Sequence, residues 1–179
     1  GLAAFNAISL NGSIFQMVSH GLSTGALFFA VGVLYDRRHT RLISEYGGLA
    51  AQLPRFAAAF MVFTLASVAL PLTSGFVGEF MILLGSFQST RYTLLTAVAV
   101  LGVILGAVYM LSLYLKTMFG ELDVERNGGL RDLNLSESVI FVPLVALIFL
   151  LGVYPSPLLT RIQPSVDRYV AVFEARRGV

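Results

Sequence analysis

The sequence predicts an all-helical integral membrane protein. Of its 179 residues, 56% are hydrophobic and only 12% are charged, and the mean hydropathy is +0.81. An average soluble domain is about 25% charged, so roughly half the usual charge is missing. The charged residues gather in short stretches that separate four long apolar segments. This composition excludes a disordered chain, a nucleic-acid-binding protein and most soluble enzymes.

The side-chain inventory limits the chemistry that this chain performs. There is no cysteine, and there are two histidines. A chain without cysteine forms no disulfide framework, no thiolate metal site and no iron–sulfur cluster. We therefore expect no catalytic nucleophile, no metal site and no redox cofactor within this chain.

Four segments are long and apolar enough to cross a bilayer, which takes about 20 residues of helix. They span residues 13–34, 56–87, 92–115 and 138–154. The first contains one ionisable residue, His20, and the second contains one charged residue, Glu79. A fifth segment, 164–177, places Val166, Tyr169, Val170 and Phe173 at helical spacing and predicts an amphipathic tail helix on the membrane or on a neighbouring subunit.

The connections between the segments set the orientation. Lysine and arginine number seven in the first and third connections together, and five in the second connection and the tail. The positive-inside rule then places the loop that contains Arg37 in the cytoplasm and the C-terminus on the outer side.

The second segment is too long for one perpendicular helix. Its 32 residues would extend about 48 Å against about 30 Å of hydrocarbon. Pro71 interrupts it, and Ser74 is a suitable cap for a second helix beginning near Gly75. We expect two half-helices, 55–70 and 76–87, that meet at membrane depth, as at the ion and substrate sites of transporters. An ordinary proline kink in a tilted helix is the alternative.

Glu79 lies one turn into the second half-helix. A carboxylate within the membrane is costly and marks a functional site by default. It would act as a protonatable relay group. The alternative is a carboxylate that only complements the helix dipole.

A polar stripe follows the first segment. It consists of Ser13, Gln16, His20, Ser23 and Thr24. Offsets of four, seven and eight residues from Gln16 place these groups on one helical face, where they could hold a file of water and His20 could carry a proton. The alternative is a face that only joins helices through hydrogen bonds. His39, in the arginine-rich loop, is expected to be solvated.

Further polar and small residues carry weaker signals. Tyr109, Ser112 and Lys116 share a face of the third segment, and Lys116 is expected to reach towards the headgroups at the helix end. Two pairs of glycines four residues apart predict close helix contacts. They are Gly21 with Gly25 and Gly102 with Gly106.

Four stretches carry a family resemblance. They are FQMVSHGL at 15–22, LYDRRHTR at 34–41, YGGL at 46–49 and LPLTSGFVGEF at 70–80. Together they resemble the M-type antiporter-like membrane subunits of respiratory complex I. The resemblance implies a fourteen-helix bundle with two inverted repeats, each with a broken helix, of which this chain would supply the last four helices.

The resemblance also implies roles and surroundings. His20 would lie on a central hydrophilic axis, and Glu79 would be the ionisable group of the second broken helix, near an outer proton half-channel. Related L-type and N-type subunits would be neighbours in a bacterial inner membrane, with the C-terminus in the periplasm. FMN, iron–sulfur clusters and quinone would be bound by partner subunits. The family's Glu–Lys pair and central lysine would lie upstream of this chain.

Two other functions remain open at this point. One is a subunit of an Mrp-type cation/proton antiporter or of a membrane-bound hydrogenase. The other is a passive structural subunit in which Glu79 and His20 only hold helices together.

Overall fold

In the computed structural model, residues 1–89 and 91–177 are described, and in these ranges the regular structure is helical. The elements in chain order are α1 (Ala7–Arg38), a 3₁₀ turn (Ile43–Glu45), α2 (Leu49–Gln52), α3 (Pro54–Ser67), α4 (Ser74–Gln88), α5 (Thr93–Met118), α6 (Val124–Asn127), α7 (Leu135–Val153) and α8 (Ser156–Arg177). Helices α1, α5 and α7 are long and apolar enough to cross a membrane, and α3 is a shorter apolar helix. The predicted all-helical membrane fold with a broken second segment is confirmed.

Helix α1 extends beyond the predicted segment 13–34 at both ends. At its start, the side chain of Asn6 accepts a hydrogen bond from the Ser9 N–H at 2.9 Å, and Ser9 Oγ accepts one from the Asn6 N–H. This capping box begins the helix six residues before the first predicted position. At its end, His39 has a left-handed backbone with φ of 53°. The hydropathy pattern, from which the segment 13–34 was predicted, does not locate the caps at Asn6 and His39.

The second segment is broken where Pro71 predicted. Helix α3 ends at Ser67 and α4 begins at Ser74. Between them, Ala69 and Leu72 have positive φ angles of 55° and 77°. The first half-helix therefore ends three residues earlier than predicted, because left-handed backbone at Ala69 cannot continue a right-handed helix.

The predicted capping role of Ser74 is wrong. Thr73 has the extended backbone of an N-cap residue, with φ of −100° and ψ of 156°. Ser74 is the first helical residue, and its buried hydroxyl has no hydrogen-bond partner within the described residues. The Thr73 hydroxyl instead donates to the carbonyl oxygen of Leu70 at 2.7 Å, and this bond stabilises the segment between α3 and α4.

An aromatic cluster joins α3 to α5 and α7. Phe63 of α3 stacks on Phe141 of α7 with ring centroids 5.3 Å apart, and Phe60 lies 5.6 Å from Tyr114 of α5. The buried Tyr114 hydroxyl donates to the carbonyl oxygen of Ala57 at 3.0 Å. These contacts fix α3 in the bundle even though it is only 14 residues long.

The charged loops meet at the end of the bundle where α3 and α7 begin. Arg37 donates to Glu137 Oε2 at 2.8 Å and to the carbonyl oxygens of Arg131 and Asp132. The Asp132 carboxylate accepts hydrogen bonds from the backbone N–H groups of Arg55 at 2.9 Å and Phe56 at 3.0 Å. It thereby satisfies N–H groups at the start of α3 that have no partner within the helix.

The tail helix is longer than predicted. Helix α8 begins at Ser156 instead of residue 164, since Pro157 is tolerated in the first turn of a helix. Val166 and Ile162 pack against Leu10 of α1 in a small buried cluster. Of the predicted apolar face, Val166 is buried, whereas Tyr169 remains 59% exposed.

Candidate functional site

Glycines bring α1 and α4 into close contact. A Cβ atom added at Gly78 would lie 2.8 Å from the Cα and Cβ atoms of Gln16, and one added at Gly85 would lie 2.6 Å from the Ser9 nitrogen. From the α1 side, a Cβ at Gly12 would lie 2.6 Å from Met81 Cβ. The helix that carries Gln16 therefore lies against the helix that carries Glu79.

These glycines are not the pairs that the sequence singled out. Around Gly21, Gly25 and Gly102, no described atom of another helix lies within 4 Å of an added Cβ, and at Gly106 the one such neighbour is a Tyr109 ring carbon of the same helix, at 4.0 Å. The prediction that these pairs mark close helix contacts is wrong for the described part of the chain. Gly78 and Gly85 are seven residues apart, two turns along one face, and that spacing is the signal that identifies the contact.

Polar side chains cross this interface at three levels. Gln16 Nε2 donates to Glu79 Oε1 at 3.3 Å. The buried Ser19 hydroxyl donates to the Ser74 carbonyl oxygen at 2.9 Å, and Asn6 Nδ2 donates to the Gly85 carbonyl oxygen at 2.6 Å. The outer two contacts reach backbone, and the central one reaches the carboxylate. The predicted residues Gln16 and Glu79 are thus in direct contact.

Glu79 also faces a cavity on its other side. The cavity has a volume of about 270 Å³ and lies between the end of α3, α4 and α5. Tyr109, Ser67 and the two glycines of the α5 pair contribute to its lining. Because each water occupies roughly 30 Å³ in the liquid, this space accommodates several waters beside the carboxylate. The glycines of α5 keep it open.

His20 lies on the exposed side of α1, away from Glu79. Its Nδ1 is 3.2 Å from Thr24 Oγ1. It lines a separate hollow of about 470 Å³ to which Gln16, Met17 and Ser13 also contribute. Gln16 therefore contacts the carboxylate and also lines the hollow at His20.

The polar stripe of α1 is divided by the edge of the buried interface. Ser23 is buried, and its hydroxyl lies 3.5 Å from the His20 carbonyl oxygen, whereas His20 itself is exposed. Because successive residues of a helix are rotated by about 100° around its axis, residues four, seven and eight positions after Gln16 lie, together with Gln16, within an arc of roughly 100°. The boundary between buried and exposed surface falls within that arc.

The remaining predicted residues are distributed along α5 and the loops. Tyr109 lines the Glu79 cavity, and Lys116 is exposed in the last turn of α5. His39 follows the last residue of α1 and is exposed. Its ring packs edge-to-face against the Tyr35 ring, with ring centroids 5.7 Å apart. Among the described residues, no group of three or more metal-ligating side chains comes together.

Comparisons with known proteins give the family of the chain. A family described as NADH:quinone oxidoreductase/Mrp antiporter, TM matches residues 1–106. The chain is 51% identical over 178 residues to NADH-quinone oxidoreductase subunit M of Rhodobacter capsulatus, covering 99% of this chain and 34% of that protein. It is 45% identical over 170 residues to NADH-ubiquinone oxidoreductase chain 4 of Arabidopsis thaliana, covering 95% of this chain and 34% of that protein. The chain thus spans about a third of the length of these curated relatives.

Solved structures agree with this assignment. A chain of respiratory complex I from Thermus thermophilus with bound NADH superposes with a TM-score of 0.84 at 33% identity, covering 94% of this chain and 35% of that one. A chain of the Mrp complex from Dietzia sp. DQ12-45-1b gives a TM-score of 0.78 at 24% identity over 88% of this chain and 37% of that one, which shows a shared fold. The resemblance to M-type subunits is confirmed. The family match covers more than half of the residues of this chain, and the chain therefore belongs to the NADH:quinone oxidoreductase/Mrp antiporter transmembrane family.

Proposed function

We propose that this chain is part of an M-type membrane subunit of a proton-pumping NADH:quinone oxidoreductase and that Glu79 carries protons in it. The 51% identity to a subunit M and the TM-score of 0.84 against a complex I chain support the assignment to this complex over an Mrp-type antiporter. L-type and N-type subunits would be its neighbours in a bacterial inner membrane. FMN, iron–sulfur clusters and quinone would be bound by other subunits.

The observation that carries the proposal is the position of Glu79. Its carboxylate lies half-buried in the bundle, accepts a hydrogen bond from Gln16 and faces a cavity of about 270 Å³. An ionisable side chain in such an environment is costly to bury, and it therefore marks a functional site by default. Water in the cavity would connect it to Tyr109, and a water file there would exchange protons with Glu79.

Gln16 is suited to accompany a change of protonation at Glu79. Its Nε2 donates to the carboxylate, while its own Oε1 is buried without a hydrogen-bond partner among the described residues. A primary amide offers donors at one end and an acceptor at the other. Rotation of the amide by half a turn would present Oε1 to a protonated Glu79, so that both protonation states are hydrogen-bonded.

The proposed route begins at His20 and passes Gln16. His20 lines the same hollow as Gln16, which contacts Glu79. Thr24 hydrogen-bonds the imidazole and orients it. A proton would move from the hollow at His20, past Gln16, to Glu79 and then into the cavity at Tyr109.

The test is the Glu79→Gln substitution in the full-length subunit. Proton uptake by inverted membrane vesicles is measured while NADH drives quinone reduction, and both are normalised to assembled complex. We expect loss of pumping with assembly preserved, because glutamine keeps the shape of the side chain and cannot release a proton. Normal pumping per complex with reduced assembly would show a passive structural role instead.

A further inference from the structure

The structure has an apolar groove that no proposed step of proton transfer uses. It lies between α3 and α7 and has a volume of about 440 Å³. Small side chains open it, namely Ala58 and Ala59 on α3 and Ala146 on α7. Phe141 lines its inner side, where it stacks on Phe63 at 5.3 Å.

The groove has a charged end and an apolar end. Helices α3 and α7 both begin at the end of the bundle where the charged loops meet, because Asp132, three residues before α7, accepts hydrogen bonds from the first N–H groups of α3. Arg55 and Ser138 line the groove at this end, and Val62 and Ala146 line it deeper. From Arg55 to Val62 the groove runs about 10 Å along the helix axis. It therefore passes from the level of the charged loops into the apolar part of the bundle.

Arg55 supplies a free positive charge at the entrance. Its side chain is exposed, and its guanidinium makes no hydrogen bond or ion pair with the described residues. The nearby carboxylates are already engaged: Asp132 accepts from the backbone of α3, and Glu137 is paired with Arg37 at 2.8 Å. Among the described residues that line the groove, Arg55 is the one charged residue, and its charge is positive.

We propose that this groove binds one anionic phospholipid, with its phosphate at Arg55 and an acyl chain between α3 and α7. The charge distribution favours a lipid over a protein segment. A packed helix would cover the Arg55 guanidinium and would have to provide a carboxylate for it. A phospholipid brings an anion to the level of the headgroups and hydrocarbon to the level of Val62 in one molecule.

The test uses photoactivatable lipids on the complex that contains the full-length subunit. The complex is reconstituted in vesicles that contain phosphatidylglycerol with a diazirine on one acyl chain, and cross-linked peptides are identified by mass spectrometry. A matched preparation carries the same acyl chains on phosphatidylcholine. We expect phosphatidylglycerol to label peptides within 58–62 and 141–146 more strongly than phosphatidylcholine.

Two variants separate the headgroup from the acyl chain. Arg55→Gln should reduce the preference for phosphatidylglycerol about fivefold, as expected for about 1 kcal/mol per cation near an anionic surface. Ala59→Phe should fill the groove and abolish labelling by both lipids. Arg41→Gln removes another exposed arginine, which stacks on Tyr35 at 4.9 Å outside the groove, and should leave labelling unchanged.

Three results would overturn the proposal. Equal labelling by the two lipids would show only unselective contact with bulk lipid. Absence of labelling within 58–62 and 141–146 would show that protein covers the groove in the complex. An effect of Arg41→Gln as large as that of Arg55→Gln would show a general surface charge instead of a site.

Discussion

Substituting Gly78 by alanine should separate α1 from α4 and weaken the contact on which proton transfer depends. The added Cβ would lie 2.8 Å from Gln16 Cα and Cβ, where ordinary contact begins at 3.4 Å. The helices must therefore move apart by about 0.6 Å or more, since both opposing atoms belong to or adjoin backbone. Overpacking of this kind costs about 1–3 kcal/mol.

The same movement acts on the hydrogen bond beside Gly78. Gln16 Nε2 and Glu79 Oε1 are already 3.3 Å apart, so a further separation of about 0.6 Å takes the pair beyond hydrogen-bonding distance. We therefore expect Gly78→Ala to lower both the thermal stability of the subunit and proton uptake per assembled complex. Thermal unfolding in detergent and vesicle proton uptake measure these two effects.

Gly25→Ala is the matched control for this substitution. It also places alanine in the middle of a long helix, where the change favours helix formation by about 1 kcal/mol, but no described atom of another helix lies within 4 Å of its Cβ. The difference between the two variants isolates the cost of opening the interface. If Gly78→Ala matched Gly25→Ala in stability and pumping, the argument from close packing would be refuted.

Three further predictions concern single contacts. Gln16→Leu should lower proton uptake per complex about tenfold or more, because a hydrogen bond to a charged group contributes about 1.5–3 kcal/mol; unchanged uptake would remove Gln16 from the route. Asp132→Ala should destabilise the start of α3 by about 1–3 kcal/mol, because it leaves the N–H groups of residues 55 and 56 without their acceptor. We expect faster amide hydrogen exchange at residues 55–58 as the measure of this loss. If exchange there stayed at its original rate, Asp132 would not be the cap. Arg37→Ala should loosen the loop 128–134 by removing its bonds to Glu137 and to the carbonyl oxygens of residues 131 and 132; protection of that loop should fall in the same exchange experiment, and full protection would contradict the assigned role.

The sequence predicted the broken helix but not the shape of the break. Proline cannot donate the backbone hydrogen bond that a continuous helix needs, so Pro71 located the interruption. The positive φ angles fall on Ala69 and Leu72, residue types that adopt this conformation only when surrounding contacts impose it. Such contacts are long-range, and no local pattern reports them.

In the candidate site, too, the residues could be predicted from the sequence but their contacts could not. Glu79 was evident because a lone carboxylate in an apolar segment is costly, and Gln16 was included in the polar stripe of α1. Their contact depends on how α4 rotates against α1, which is set by glycines 62 or more residues away from their partners along the chain. The prediction of a single polar face on α1 did not reveal that Ser23 is buried whereas His20 is exposed.

The most direct test of the account compares Glu79→Gln with Ser19→Ala in the same vesicle assay. The Ser19 hydroxyl donates to the Ser74 carbonyl oxygen at 2.9 Å and makes no hydrogen bond to an ionisable group of the described residues, so its loss should lower assembly and leave proton uptake per assembled complex unchanged. Glu79→Gln should do the reverse, with assembly preserved and proton uptake lost. If Glu79→Gln instead behaved like Ser19→Ala, Glu79 would be a structural residue and the proposed proton route would be contradicted.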